Sequence, residues 1–249
     1  MALVGPLEES FYDNPTGDLV FPGIPPAAYD VVFDFGCGCG RVARKLIQQH
    51  PAPGRYLGID LHSGMVDWCR RNLSRVASNF EFRHHDVWNR GFNPEGMVGM
   101  LPFPVEDSSV TLFVAWSVFT HVNEAAAAFY LRELGRVLHE DGIAITTWFL
   151  FEKSEFPMMQ EFQNALFIND TDPTNAVIFD KAWLRRTAEN AGLSLSSIVA
   201  PTLRGFQWQI QMKKWQPGTV HAEFPADVAP LGLKRPPLSP VDAHRLGRD

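Results

Sequence analysis

A doubly wound α/β fold with a mostly parallel sheet is what this 249-residue sequence predicts, and three observations predict it. Short apolar runs rich in Val, Ile and Phe alternate with amphipathic stretches of helical period from residue 31 to residue 151. The first apolar run closes in a glycine turn, DFGCGCG, and passes straight into a helical pattern. The second and third runs each end on an aspartate. Strands alternating with helices build βαβ units, whose parallel sheet carries helices on both faces.

The elements follow in order. Residues 31–36, VVFDFG, read as a buried strand. In RVARKLIQQH, Val42, Ala43, Leu46 and Ile47 share one helical face, with Arg44, Lys45, Gln48 and Gln49 opposite. RYLGID is the second strand, and SGMVDWCRRNLSRV the second helix, with Met65, Trp68, Cys69, Leu73 and Val76 near helical spacing. FEFRHHD is the third strand and, after a loop, SVTLFVAWS the fourth. NEAAAAFYLRELGRVLHEDG is the clearest helix, with Ala127, Leu131, Leu134 and Leu138 in period and Gly142 as its stop. IAITTWFLF is the fifth strand. DKAWLRRTAENAGL is a further helix with Asp180 as N-cap and Gly192 as stop, and SLSSIVA and FQWQIQMKKW close a seven-stranded sheet.

Three segments fall outside this rhythm. Residues 1–28 form a leader or active-site flap, residues 152–179 a cap inserted into the domain of residues 29–215, and residues 216–249 a proline-rich tail, extended or partly disordered. The bulk numbers narrow the function. A net charge of −6, with no Lys/Arg cluster longer than two, argues against a nucleic-acid partner. No basic start followed by an apolar run suggests a signal peptide, and no apolar run is long enough to span a membrane. Three cysteines, two of them in one turn, make no disulfide framework, so the expected setting is cytoplasmic, with reduced thiols.

The glycine turn sits at the first strand–helix junction, on the sheet edge where α/β proteins bind ligands. Its glycines allow a sharp turn and a close ligand approach, and the helix beyond offers unpaired N–H groups. A metal clasp at Cys37 and Cys39 lacks partners: Cys69 is alone on a helix, and His84 and His85 point to opposite faces of a strand. A nicotinamide reading competes, because Gly38, Gly40 and Ala43 fit G-x-G-x-x-A and Asp60 follows Gly40 by 20 residues. That reading leaves Asp34, before the turn, and Asp86, after the third strand, without a task.

These features together resemble the class I S-adenosylmethionine-dependent methyltransferases of the small-molecule type. The resemblance runs from about residue 29 to residue 150 and implies a Rossmann-like fold. It implies that Asp34, Gly36, Cys37, Gly38 and Gly40 form the turn against the methionine part of the cofactor. It further implies that Asp60, with Leu61, grips the ribose hydroxyls, and that Asp86, with Val87 and Trp88, faces the adenine. Trp116 and Ser117 would meet the methionine end, and Tyr12 would close over the cofactor. RVLHEDG is close to the family's R-V-L-x-P-G-G, with Glu140-Asp141 in place of Pro-Gly. The ribose assignment has a direct physical basis: a diol offers two O–H donors, and an ionised carboxylate has two acceptor oxygens.

For a hydroxyl or amine acceptor, His121 is the candidate base, since imidazole exchanges protons near neutral pH; the alternative is a histidine that caps the helix entrance. His85 is a weaker rival. The end of the fourth strand reads AWSV, without the [DN]-P-P-[YF] of enzymes acting on DNA amines and without an acid for magnesium. A small-molecule or lipid acceptor is therefore expected, with no resident metal. Its pocket is expected from Phe11, Tyr12, the FNPEGMVGM loop, Trp148 to Phe151 and residues 156–179. An NAD(P)-dependent oxidoreductase and a non-catalytic cofactor-binding partner protein stay open at this level, as does the oligomeric state.

Overall fold

The structure is a computed structural model, and it describes residues 9–169 and 171–226. The N-terminal end of the expected flap and the tail beyond residue 226 lie outside the described residues. β1 (Val31–Phe35), β2 (Arg55–Asp60), β3 (Phe80–His84), β4 (Val110–Ala115) and β5 (Leu138–Phe151) pair in parallel. β8 (Leu193–Val199) and β9 (Trp208–Lys214) complete the sheet, with β9 antiparallel to both β5 and β8. The main sheet therefore runs β3-β2-β1-β4-β5-β9-β8. It has the seven strands expected, in a Rossmann-like arrangement. The far end of β5 continues into a small second sheet with β7 (Val177–Asp180) and β6 (Ala165–Phe167).

Each helix start carries its own cap. α2 (Ser63–Asn72) is capped by His62, whose Nδ1 accepts the Met65 N–H. Asn123 Oδ1 accepts the Ala126 N–H at the start of α3 (Glu124–Val137), at 2.9 Å. Asp180 Oδ2 does the same for Trp183 at the start of α4 (Lys181–Asn190), at 2.9 Å. α1 (Arg41–Gln48) differs: its N-cap is Gly40, which has no side chain to bond the first N–H groups. Those donors are left for something else.

The core has two halves, one on each face of the sheet. α1 and α2 cover Val32, Tyr56, Phe80, Phe82, Leu112, Val114, Ile143 and Ile145. α3 and α4 cover Phe33, Phe35, Leu57, Phe113, Ala115 and Ala144. The period-2 alternation of each central strand feeds both halves, which is why these strands read as continuous apolar runs.

The structure departs from the sequence reading at four places. α3 ends at Val137, and Leu138 already pairs with Val110 as the first residue of β5. Gly142 is therefore no helix stop. It lies where a Cβ would come within 2.8 Å of the Val110 carbonyl oxygen, so strand packing sets its identity. α2 ends at Asn72, and Val76 is exposed. Residues 9–29 are built into the fold: Phe21, Ile24, Ala28 and Tyr29 are buried against the α1–α2 half. The start of the tail is tied down too. Phe224 packs edge-on to Trp208, and the Ala222 N–H donates to the Leu195 carbonyl at 2.7 Å.

α3 and α4 meet at a point of no spare room. A Cβ on Gly135 would lie 2.1 Å from the Ala191 carbonyl oxygen. Gly135→Ala forces backbone apart, and overpacking of this kind costs about 1–3 kcal/mol. Urea unfolding is expected to show a less stable variant, despite alanine's better helix propensity. Stability equal to or above that of the parent would refute the close approach.

Candidate active site

Gly36, Gly38 and Gly40 have φ of 81°, 54° and 77°, the left-handed region that side chains resist. Space is also short. A Cβ at Gly36 would sit 2.4 Å from Val118 Cγ2, and one at Gly40 2.4 Å from Leu73 Cδ1. The turn hangs on the end of β2. The Gly36 and Cys37 N–H groups donate to the Ile59 carbonyl at 2.8 and 3.0 Å, and the Gly38 N–H donates to Asp60 Oδ2 at 2.8 Å.

The cysteines lie inward. Cys37, Cys39 and Cys69 are free and buried. Cys37 and Cys69 both direct their sulfur at the Gly38 carbonyl, at 3.8 and 3.5 Å. Burial pushes both thiols up, so they are poor nucleophiles and fill space. Among the described residues no group of three or more His, Cys, Asp or Glu side chains could hold a metal ion. Tyr12 is buried beside the turn, its hydroxyl 3.8 Å from Cys39 Sγ.

The three acids have three different surroundings. Asp60 accepts one N–H on each oxygen, from Gly38 on Oδ2 and from His62 on Oδ1, both at 2.8 Å. Each oxygen keeps a second lone pair. Burial raises its pKa, and the two N–H bonds work against that rise. Leu61 beyond it is held by its carbonyl, which accepts from His84 Nε2 at 2.8 Å.

Asp86 is exposed, and its Oδ1 accepts a bond from Asn93 Nδ2 at 3.0 Å. Val87 is half-buried and Trp88 exposed in the same loop, which closes on itself through the Trp88 N–H and the Met97 carbonyl. Asp34 lies elsewhere: it is 1% exposed, beneath the turn, and accepts the Tyr56 hydroxyl at 2.6 Å. Burial pushes its carboxyl up to about 7, the Tyr56 bond opposes this, and the Asp60 charge adds to it. The structure therefore gives Asp34 a place under the cradle instead of at its surface.

The end of β4 forms the other wall. Trp116 is 43% exposed, with its ring 6.2 Å from that of Phe21. Ser117 has φ 63°, rare for a residue with a side chain. Its N–H donates to Thr147 Oγ1 at 2.7 Å, and its Oγ accepts from Gln207 Nε2 at 2.5 Å. Sequence reasoning missed Gln207. It reaches Ser117 across 90 residues, from the connection between β8 and β9, and no local pattern marks it.

His121 ends the short 3-10 turn Phe119–His121. Its Nδ1 lies 3.3 Å from the Thr174 carbonyl oxygen. A carbonyl only accepts, so Nδ1 carries the proton, and the neutral ring keeps its lone pair on Nε2. His85 is spent on Tyr130, whose hydroxyl lies 3.0 Å from its Nε2, and burial lowers its pKa to about 4.

Trp148, expected in the acceptor wall, is fully buried between Phe119, stacked at 4.2 Å, and Phe179. It belongs to the core, because β5 is central at that point. Exposed apolar side chains occur along the chain, and two segments carry several each. Trp88, Met97, Val98 and Met100 come from the loop after β3, and Phe156, Met158, Phe162 and Phe167 from residues 156–167. Arg90 Nη1 donates to the Thr171 carbonyl and joins the loop to the cap.

The donor set suits S-adenosylmethionine. The free lone pairs of Asp60 match a ribose diol, and the uncapped N–H groups of α1 match a carboxylate. The three left-handed glycines keep the turn free of side chains, so a ligand can approach the backbone.

Comparison with known proteins agrees. A family model described as "Methyltransferase domain" matches residues 32–142. The structure is similar to that of a putative sarcosine dimethylglycine methyltransferase from Galdieria sulphuraria, with a TM-score of 0.51 and 17% identity over 70% of this chain and 56% of that one. This chain thus spans little more than half of that relative. It is also similar to geranyl diphosphate C-methyltransferase from Streptomyces coelicolor A3(2), solved with Mg2+, geranyl diphosphate and S-adenosyl-L-homocysteine (TM-score 0.52, 16% identity, 75% and 74% of the two chains). A third is an O-methyltransferase from neocarzinostatin biosynthesis, in complex with S-adenosylmethionine and 2-hydroxy-5-methyl naphthoic acid (TM-score 0.51, 15% identity, 77% and 51%). At such identities these likenesses concern the fold.

The raised pKa of Asp34 has a consequence for stability. The folded protein holds a proton on Asp34 up to about pH 7, whereas the unfolded chain releases it near 3.8. Stability from this group is therefore complete below the lower value and is lost as pH rises to the upper one. Asp34→Asn keeps an acceptor for Tyr56 and removes the titration. Relative to the parent, the variant is expected to gain stability as pH rises from 3.8 to about 7 and to hold that gain above it, as measured by urea unfolding. A difference independent of pH would contradict the buried titration.

Proposed function

Because a family model described as "Methyltransferase domain" matches residues 32–142, we propose that the chain is an S-adenosylmethionine-dependent enzyme that methylates an apolar small molecule at a hydroxyl or amine. The observation that carries this reading is the asymmetry of the site. Its cofactor side is polar and built on strand ends, whereas the loop after β3 and the cap, joined by Arg90 and the Thr171 carbonyl, leave several aromatic and aliphatic side chains exposed. Such patches mark binding surfaces. Two of the similar structures hold small molecules with an apolar body and an anionic group, a naphthoic acid and a geranyl diphosphate. The negative overall charge speaks against nucleic acid. Among the described residues no helix is long and apolar enough to cross a membrane.

The bound cofactor supplies an electrophilic methyl group on a sulfonium. The chain's own residues bind, orient and exclude water. Asp60 would hold the ribose, the loop of Asp86, Val87 and Trp88 the adenine, and the glycine turn with Trp116 and Ser117 the methionine end. Tyr12 and Phe21 close the N-terminal side. His121, with Nδ1–H fixed on the Thr174 carbonyl, presents Nε2 to take a proton from the attacking hydroxyl or amine.

Two measurements test this reading. Calorimetry is expected to show saturable binding of S-adenosylhomocysteine, weakened about tenfold or more by Asp60→Asn, which loses a charge-assisted bond, and no binding of NADH. A screen of apolar phenols, alcohols and amines, read by product mass, is expected to give a product 14 mass units heavier (a methyl for a hydrogen, about 14 by general chemistry). With that acceptor, His121→Ala is expected to lower kcat about 10²–10⁴-fold with cofactor affinity unchanged. Full turnover by the variant removes His121 as the base.

A further inference from the structure

Gln207 stands at a functional position for which neither the family match nor any motif gives a reason. β9 runs antiparallel to β5, and Trp208 pairs with Trp148. Gln207 is therefore delivered to the same sheet edge that carries the glycine turn. There its Nε2 donates to Ser117 Oγ at 2.5 Å. Ser117 itself is held in a left-handed conformation, φ 63°, with its N–H on Thr147 Oγ1. Non-glycine residues stay in that region only where their surroundings over-determine them, and such positions cluster at ligand sites. Two bonds, from β5 and from the β8–β9 connection, do this here. They turn the main chain at the point where Trp116 comes out to 43% exposure.

The other half of the carboxamide is unspent. Gln207 is half-buried, and among the described residues its Oε1 has no hydrogen-bond partner. The side chain is fixed by Nε2 on Ser117, next to Trp116 at the end of β4, and its Oε1 is left as an acceptor.

We propose that Gln207 binds the methyl acceptor, its Oε1 taking a hydrogen bond from the hydroxyl or amine group to be methylated or from one beside it. The proposal rests on the reading above, that an apolar small molecule is the methyl acceptor. It narrows the substrate class. His121 Nε2 and Gln207 Oε1 both accept, so the substrate must present hydrogen-bond donors, and a fully alkylated molecule of the same shape is refused.

The experiment uses two probes of nearly equal shape on the full chain saturated with S-adenosylhomocysteine. One is 4-butylphenol, and the other is 4-butylanisole, which lacks the O–H. Calorimetry or quenching of tryptophan fluorescence reads binding. The parent is expected to prefer the phenol about tenfold, the cost of one lost hydrogen bond. On a His121→Ala background, which removes the other acceptor, Gln207→Met, similar in length but without polar atoms, is expected to bind both probes alike. Ser117→Ala separates the roles: it removes the tether and leaves Oε1, so part of the preference is expected to survive. A preference that persists in the double variant, or its absence in the parent, overturns the role of Gln207 while the apolar-acceptor reading stands. No binding of either probe to the parent overturns both.

Discussion

The carboxylate of Asp60 joins the two halves of the cofactor cradle. One oxygen takes the Gly38 N–H from the turn after β1, and the other takes the His62 N–H that opens α2. The His62 bond is local, but the Gly38 bond needs β1 and β2 paired in the observed register, Phe35 beside Ile59 and Asp34 beside Gly58. A slip of one residue would turn every side chain of β2 to the other face. Gly58 takes part in that register. A Cβ there would come within 2.9 Å of the Cys37 Cβ and the Tyr56 hydroxyl. Its hydrogen leaves the room in which Cys37 lies flat and Tyr56 reaches Asp34. The turn, the two strands and the buried Tyr56–Asp34 bond thus form one mutually dependent unit.

On the other side of β1 the constraint is looser. β4 ends in Trp116 and a left-handed Ser117, and its geometry depends on partners brought from β5 and from the β8–β9 connection. Beyond it, β5 outruns the main sheet and pairs with β7, which carries the cap. The cap is tied by a few polar contacts, among them His121 to Thr174 and Asn164 Nδ2 to Glu124, and it leaves apolar side chains in the open. The division is physical. The glycine turn is built from main-chain groups on strand ends, whereas the cap and the loop after β3 are segments that tolerate change because little of the core passes through them.

Much of the cofactor side was legible because its requirements are local. Three glycines at every second position, an acid before them and acids at the ends of the next two strands are sequence features with direct conformational or chemical meaning. The strands were legible from apolar runs and the helices from their period and caps, as with Asp180. The errors sit where packing overrode local preference. Leu138 fits the helical face of α3, yet pairing with Val110 is worth more than another turn. Trp148 reads as a pocket aromatic, yet it lies in the middle of the sheet, stacked under Phe119.

By itself, then, the sequence determined the class of fold and the alternation of its strands and helices, because each depends on residues near one another in the chain. Only the tertiary structure decided how the side chains divide between support and surface. Asp34 sits within its strand and Asp60 ends the next, and the pairing of β1 with β2 sets one under the turn with Tyr56 and leaves the other with lone pairs to spare. It also decided the tautomer of His121, through a carbonyl 53 residues away, and the place of Gln207, through a serine 90 residues away. Such contacts follow from the closing of the sheet, and no spacing in the chain encodes them.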